Sequence, residues 1–279
     1  MIAIDMHVHL SSPIEPSKSI LEGSVRDYFR LDGAPDRVDE MAKKYKSWDM
    51  MGVLLAIDAE TTTGEDPISN DYIAKVVSEY PEQFIGFAAI DPWKKEKSVN
   101  ELKRAVNVLG LKGMKLHPVH QSFFPNDRQF YPLYEECAML GVPIIFHSGM
   151  AATGAGLPGG GGLKLKYSAP IPGIDDVAAD FPTISIIMAH PGWPWVDEQI
   201  AVALHKPNVF IDFSGWAPMY IPKTLIDEAN SRLSEKILFG SDYPYISPDR
   251  WIAEWDDMPI KDSSRKNILL GNARKILGM

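Results

Sequence analysis

Cysteine, cationic charge and long apolar stretches are all scarce in this sequence, and each scarcity excludes something. Cys137 is the only cysteine, so no internal disulfide can form. It lies in Tyr134-Glu135-Glu136-Cys137-Ala138, which reads as helix, and a buried inert thiol is expected there. Lys and Arg number 28 against 37 Asp and Glu, a formal net charge of −9. A nucleic-acid binder would show a clustered basic surface, so none is expected, although a few local cations can still receive an anionic substrate. No apolar stretch approaches the roughly 18 residues that span a membrane. The chain also enters a strand pattern at once, without a basic segment leading into an apolar signal core. A cytoplasmic protein without membrane or nucleic-acid partners is the expectation, with a small-molecule substrate and room for a homo-oligomer. No linker or internal repeat is visible, so 1–279 reads as one domain.

What is present is a recurring unit. Short apolar runs cover Ile2 to His9, Met51 to Asp58, Phe84 to Asp91, Leu111 to His117, Val142 to His147, Ile184 to His190, Val209 to Phe213 and Ile237 to Asp242. Most are continuous rather than alternating, as strands covered on both faces are. Between them, apolar residues fall at helical spacing: Ile73, Val76, Val77 and Tyr80; Val99, Leu102, Val106 and Leu109; Leu225, Ile226, Ala229 and Leu233. Ser69 and Asn70 can cap a helix beginning near Asp71, and Pro194, Pro222 and Pro248 lie near helix starts. The tail from Ser263 to Leu277 reads as a last helix. Eight strands alternating with helices predict an α/β fold, the (β/α)8 TIM barrel. A doubly wound open sheet is the alternative, but the first strand ends in histidines rather than a glycine fingerprint. Residues 10–35 and 149–173 look like insertions on the loop side. The second contains Gly154, Gly156 and the run Gly159 to Gly162, without the Gly-Lys-Ser/Thr ending of a phosphate loop. It reads equally as a lid or as a loose loop.

In such a barrel the active site lies at the C-terminal ends of the strands. His9, Asp58, Asp91, His117, His147, His190, Ser214 and Asp242 all end or nearly end a strand, and five of the seven histidines belong to strand ends. His7 and His9, two apart, leave β-structure on one side. With His147 and Asp242 they would form a set of imidazole nitrogens and a carboxylate suited to Zn²⁺ or a similar divalent ion. Such an ion brings bound water towards neutral pKa, and Asp242 could accept its proton as general base. Asp5 shares the sequence parity of His7 and His9. It could orient a ligating imidazole, cap a helix or join a buried ion pair.

Four segments carry a resemblance: Asp5-Met6-His7-Val8-His9, Ile145-Phe146-His147-Ser148-Gly149, Met188-Ala189-His190-Pro191-Gly192, and Leu238-Phe239-Gly240-Ser241-Asp242-Tyr243-Pro244. They resemble the amidohydrolase superfamily. The closer likeness is to its amidohydrolase-related branch of aminocarboxymuconate semialdehyde and resorcylate decarboxylases and lactone hydrolases. Ile174-Asp175-Asp176-Val177-Ala178, Ser214-Gly215-Trp216-Ala217-Pro218 and Gly271-Asn272-Ala273-Arg274 fit the same branch. The resemblance implies one metal held by His7, His9, His147 and Asp242, with His190 beside it polarising substrate or relaying a proton. Lys115 shares a strand face with His117. Other branches carboxylate a lysine there to bridge two metals, with His190 as a ligand; a salt bridge or a substrate-carboxylate contact is the other reading of Lys115.

The rim is drawn from loops that follow the strands. Phe123, Phe124, Trp193, Trp195, Trp216, Tyr220, Tyr243 and Tyr245 together favour a planar or cyclic substrate, though each singly could be packing. Arg30, Arg128 and Lys166 could hold a carboxylate or be solvated surface charge. His120 could line the site, and His205 suits a helix C-terminus. The leading expectation is a metal-dependent hydrolase of a small, carboxylated cyclic or aromatic compound, with His190 steadying the oxyanion. A non-oxidative decarboxylase on the same ligands is the alternative. A non-catalytic metabolite- or partner-binding barrel is a third, from another class.

Overall fold

The computed structural model describes residues 1–10 and 19–279. The parallel strands are β1 Ala3–His9, β2 Met50–Leu55, β3 Phe84–Gly86, β4 Ala88–Ala89, β5 Met114–Leu116, β6 Ile144–His147, β7 Ile186–Ala189, β8 Val209–Asp212 and β9 Ile237–Leu238. β3 and β4 are two halves of the one run expected from Phe84 to Asp91, parted at Phe87. One ladder runs β1-β2-β3 and a second runs from β4 to β9 in chain order. Backbone bonds join them on both sides. Lys112 N–H donates to Gly86 O at 2.8 Å. Across the other seam, Met6 N–H reaches Phe239 O at 2.9 Å and Asp242 N–H reaches His7 O at 2.9 Å. First and last strands therefore meet, which an open doubly wound sheet would not allow. The fold is the (β/α)8 barrel that the periodicity predicts.

Two apolar layers follow from the strand alternation. Ile4, Met6, Val53, Leu55, Phe87, Ile145, Ile187, Ala189, Phe210 and Leu238 fill the barrel. The opposite strand faces pack against the helices, where Ile73, Val76, Leu102, Leu225, Ile226, Ala229 and Leu233 are buried. The helix Asn70–Glu79 shows the local logic: Ser69 Oγ accepts from Tyr72 N–H at 3.2 Å as its N-cap. Cys137 is buried within the helix Tyr131–Leu140, and burial pushes its thiol pKa well up. No helix among the described residues is long and apolar enough to cross a membrane.

The insertions are more ordered than their composition implies. Of 10–35, residues 11–18 lie outside the described residues, but Ile20–Phe29 is a helix whose N-cap, Ser19, accepts from Leu21 N–H at 3.2 Å. Residues 149–173 fold as successive tight turns. The loop is fastened at its base by Gly149 N–H to Ser168 O at 3.1 Å and by Ser168 Oγ to Gly149 O at 2.6 Å. Gly154 N–H donates to Ser24 Oγ at 2.8 Å, which ties this loop to the first insertion's helix. The loose-loop reading gives way to a fastened cover.

β4 is only two residues long, and a side chain completes its pairing. Asn70 Oδ1 accepts from Ala89 N–H at 2.8 Å, and its Nδ2 donates to Ala89 O at 3.2 Å and to Glu101 at 2.8 Å. Asn70→Ala leaves a buried N–H and C=O unpaired and should cost about 2 kcal/mol of stability. Urea unfolding of the two proteins measures it; an unchanged midpoint would show that the strand does not depend on this side chain.

Candidate metal centre

The centre begins with an irregularity in β1. Asp5 pairs with Gly52 of β2 and Val8 with Leu54, so three steps on β1 oppose two on β2. This bulge resets the alternation. Ile4 and Met6 point into the barrel, Val8 points to the helices, and His7 and His9 line the cleft. Asp5, read as sharing the histidines' side, faces the other layer. It accepts from Tyr45 OH at 2.8 Å, Ser241 Oγ at 2.5 Å, His7 N–H at 3.1 Å and Ser241 N–H at 2.9 Å, and touches no imidazole. Burial raises its pKa to about 7 despite those donors.

His7 is held from one nitrogen and open at the other. Its Nδ1 lies 3.1 Å from Asp212 Oδ2 and 3.0 Å from Ser214 Oγ. Its Nε2 faces Lys115 Nζ at 3.2 Å and Asp242 Oδ1 at 3.5 Å. His9 Nε2 lies 3.0 Å from the same Asp242 oxygen. The donor atoms of His7, His9 and Asp242 all fall within 4.8 Å of one another. His147 stands outside that close group. Its ring centroid is 4.8 Å from that of His190, and its buried Nε2 has no hydrogen-bond partner among the described residues. Three convergent donors and one orphaned imidazole nitrogen fit a divalent cation. A second close group, His7, His190 and Asp212, is already knit together through Ser214.

Asp212 is the residue that sequence reasoning missed. Inside Val209-Phe210-Ile211-Asp212-Phe213 it looks like part of an apolar strand, yet it alternates with Phe213 and shares Ser214's parity. A lone carboxylate in such a run is the available signal. Burial alone would raise its pKa, but His7 and His190 hold it well below the usual carboxylate range. Asp212 thus stays ionised and fixes the His7 tautomer with the proton on Nδ1. Asp242 is low for the same kind of reason: burial opposes, while His9, His190 and His7 win.

His190 and Asp242 both adopt left-handed backbone, φ 70° and 68°. Each follows or ends a strand whose regular alternation would send the side chain elsewhere. His190 N–H donates to Asp212 Oδ1 at 3.2 Å, and Gln199 Nε2 donates to His190 O at 2.8 Å. The His190 Nδ1–H donates to Ser214 O at 3.1 Å, which leaves Nε2 as the acceptor. Gly215 lets the next loop pass close by. A Cβ there would lie 2.9 Å from His190 Nδ1 and 3.1 Å from Asp242 Oδ2.

The remaining strand-end residues divide. Lys115 is buried, and burial lowers its pKa to about 8. Among the described residues it has no salt bridge, so that reading of Lys115 is not realised. Burial lowers His7 to about 3 and His117, His147 and His190 in the same direction, so these imidazoles are neutral. His117 stacks on His147 with centroids 3.9 Å apart, and His120 lies beside it. Asp58 and Asp91 are structural: Asp58 pairs with Lys94 at 2.8 Å, and Asp91 caps Trp93 N–H at 2.9 Å.

An open cleft of about 1540 Å³ reaches these groups, lined also by Arg26, Tyr28, Phe29, Met150, Trp216, Tyr220 and Tyr245. Four expected binding residues lie away from it. Arg30 ends the helix Ile20–Phe29 in a left-handed turn and is exposed. Arg128 lies over the Tyr131 ring and pairs with Asp180 at 3.2 Å. Trp193 is 51% exposed. The Tyr243 phenol bonds Asp36 and Lys44, with its ring edge-on to Tyr45 and Trp48 in the barrel–helix layer. Of the other rim residues, Phe123 is core, and Lys166 stacks on exposed Phe124 and Tyr167 outside the cleft.

A model of the amidohydrolase family, Amidohydro_2, matches residues 4–279. The chain is 26% identical over 239 residues to a 2-amino-3-carboxymuconate-6-semialdehyde decarboxylase of Dictyostelium discoideum, covering 75% of this chain and 65% of that protein. It therefore spans just under two thirds of that relative's length. It is 30% identical over 250 residues to a 2-keto-4-carboxy-3-hexenedioate hydratase of a Sphingobium species, covering 74% of this chain and 69% of the relative. Among solved structures, the TIM-barrel protein Bb4693 of Bordetella bronchiseptica superposes with a TM-score of 0.83 at 25% identity, over 99% of this chain and 98% of that one. A dihydroxybenzoic acid decarboxylase of a Polaromonas species, with bound manganese and 2-nitroresorcinol, shares the fold at a TM-score of 0.66 and 20% identity. That match covers 99% of this chain and 96% of the other.

Because Asp212 fixes the tautomer of His7, Asp212→Asn should weaken binding of a divalent metal about 10–100-fold while the fold persists. Titration of purified protein with Zn²⁺ or Mn²⁺ reads this, and unchanged affinity would separate Asp212 from the centre.

Proposed function

The chain belongs to the amidohydrolase family, and we propose that within it this protein is a metal-dependent carboxy-lyase acting on a small carboxylated aromatic or unsaturated compound. The observation that carries the reading is Lys115. An ammonium buried in the barrel with no carboxylate in direct contact is costly; Asp212 and Asp242 favour its charge only through space, and its one hydrogen bond among the described residues goes to His7 Nε2. A substrate carboxylate would supply the direct counter-ion. The names of the Dictyostelium and Polaromonas proteins support loss of that carboxyl group over hydrolysis, the leading expectation from the sequence.

His7, His9, His147 and Asp242 would hold the ion, and Asp242, His190 and Lys115 would act on substrate. One ion is the reading, because the other close donor group is occupied by its own hydrogen bonds. Zn²⁺ and Mn²⁺ both suit nitrogen and oxygen donors, and manganese is what the Polaromonas structure holds. When bound, the ion supplies Lewis acidity that draws electron density from a substrate oxygen. Were His7 Nε2 to serve the ion, the Lys115 ammonium, 3.2 Å from it, would be free to meet the substrate carboxylate. His190 Nε2, an acceptor in this tautomer, suits holding and returning a proton better than steadying an oxyanion. Asp242 lies beside it across Gly215. As carbon dioxide leaves, the electrons of the broken C–C bond stay on carbon, and a proton that His190 Nε2 has first taken up from solvent moves to that carbon.

The 30% identity to a hydratase supports a second reading, addition of water by the same Asp242–His190 pair. One assay separates the readings. Carboxylated aromatic and muconate-like acids are incubated with metal-loaded protein in ¹⁸O-labelled water, with carbon dioxide and product mass both followed. Release of carbon dioxide without ¹⁸O in the remaining product is expected; label uptake without carbon dioxide would overturn decarboxylation in favour of water addition or hydrolysis. Asp242→Asn should lower turnover by about 10³-fold, the scale of a lost proton-transfer group. Full activity in that variant, or in chelator-treated protein, would refute the site.

A further inference from the structure

His120 is a part-buried residue that the mechanism does not use, and both of its ring nitrogens are buried without a hydrogen-bond partner among the described residues. Polar groups left so inside a native fold weaken it, and they call for an explanation. His120 lines the cleft beside His117, centroids 5.6 Å apart. A half-turn about its Cβ–Cγ bond exchanges ring carbons and nitrogens within the same outline, so the ring can present a nitrogen to the cleft.

His117 completes the pattern. His120 backbone N–H donates to His117 Nδ1 at 3.2 Å, so Nδ1 is an acceptor and the ring proton sits on Nε2. His117 is therefore a fixed hydrogen-bond donor rather than a ligand through Nε2. Its place is held by the parallel stack on His147, 8° between planes.

We propose that His117 and His120 form a second recognition point in the cleft, for a neutral hydroxyl on the substrate beyond the carboxylate that is lost. A hydroxyl accepts from His117 Nε2–H and exchanges donor and acceptor roles with His120. A second carboxylate is disfavoured there, because Glu65 also lines the cleft and its charge acts on His120. The inference rests on the reading of this cleft as the site of a carboxylated substrate, and it specifies that substrate as a hydroxy acid.

The test uses metal-loaded protein and three probes, benzoate, 2,6-dihydroxybenzoate and isophthalate, measured by calorimetry. Wild-type protein should bind the dihydroxy acid about tenfold or more tighter than benzoate and gain nothing from the second carboxylate of isophthalate. His120→Phe should abolish that preference, and His117→Phe, which keeps a ring against His147, should do the same with metal content unchanged. His120→Phe should also unfold at the same or a higher temperature, because its unpaired nitrogens are gone. A preference that survives both variants, a tighter isophthalate, or a loss of thermal stability in His120→Phe overturns the hydroxyl site and leaves the carboxylate reading standing. Failure of wild type to bind any of the three overturns both for aromatic acids.

Discussion

The centre depends on the extra residue in β1. Were the strand regular, Ile4, Met6 and Val8 would share one side, and the histidines would join Asp5 against the helices. The slip between Asp5 and Val8 lets one seven-residue strand serve two layers in succession. Met6 plugs the barrel, and the next residue, His7, begins the site above it. The displaced Asp5 is used where it lands. It gathers Tyr45, Ser241 and the His7 amide at the seam between the first and last strands, so the segment that carries His7 and the one that carries Asp242 are tied at one carboxylate.

From that seam the other groups are placed by similar departures from regular geometry. His190 and Asp242 sit at positive φ, each a conformation costing about 1–3 kcal/mol for a residue with a side chain. The cost is met locally. The His190 peptide is gripped on its N–H by Asp212 and on its C=O by Gln199, which in turn takes Gly192 N–H at 2.9 Å. Asp242 is gripped through its N–H by His7 O at 2.9 Å. Asp212 thus does two things at once, fixing a ring tautomer and a neighbouring backbone. That double use explains why a single carboxylate inside an apolar strand is tolerated, since both of its oxygens are satisfied.

These departures also mark how far the sequence could be read. Continuous apolar runs and helical stripes such as Leu225, Ile226, Ala229 and Leu233 made the barrel legible, because burial on both strand faces leaves a strong pattern. His7, His9, His117, His147, His190, Asp242 and Lys115 could be gathered because strand ends on one barrel face converge whatever their exact register. Which way Asp5 points could not be read, since a bulge leaves no mark in a run whose alternate positions are all apolar or buried. Asp212 was hidden by its apolar neighbours. Arg30, Arg128, Trp193 and Tyr243 follow strands closely enough to be drawn into the site, but a loop residue's direction is set by its local partners. For Arg128 those are Tyr131 and Asp180; for Tyr243, Asp36 and the Tyr45–Trp48 pair.

Ligand identity could not choose between adding water and releasing carbon dioxide, because both chemistries use the same cation and the same carboxylate. The distinction lies in where substrate charge is received. A water-adding enzyme needs its base aimed at a solvent molecule beside the ion. A decarboxylating one needs the departing carboxylate held apart from the proton that replaces it. In this barrel the Lys115 ammonium comes from β5, whereas His190 and Asp242 follow β7 and β9. Under the proposed carboxy-lyase reading, charge reception and proton return would come from different sectors of one ring of strands. A group that leaves on one side and a proton that arrives from another would suit C–C cleavage.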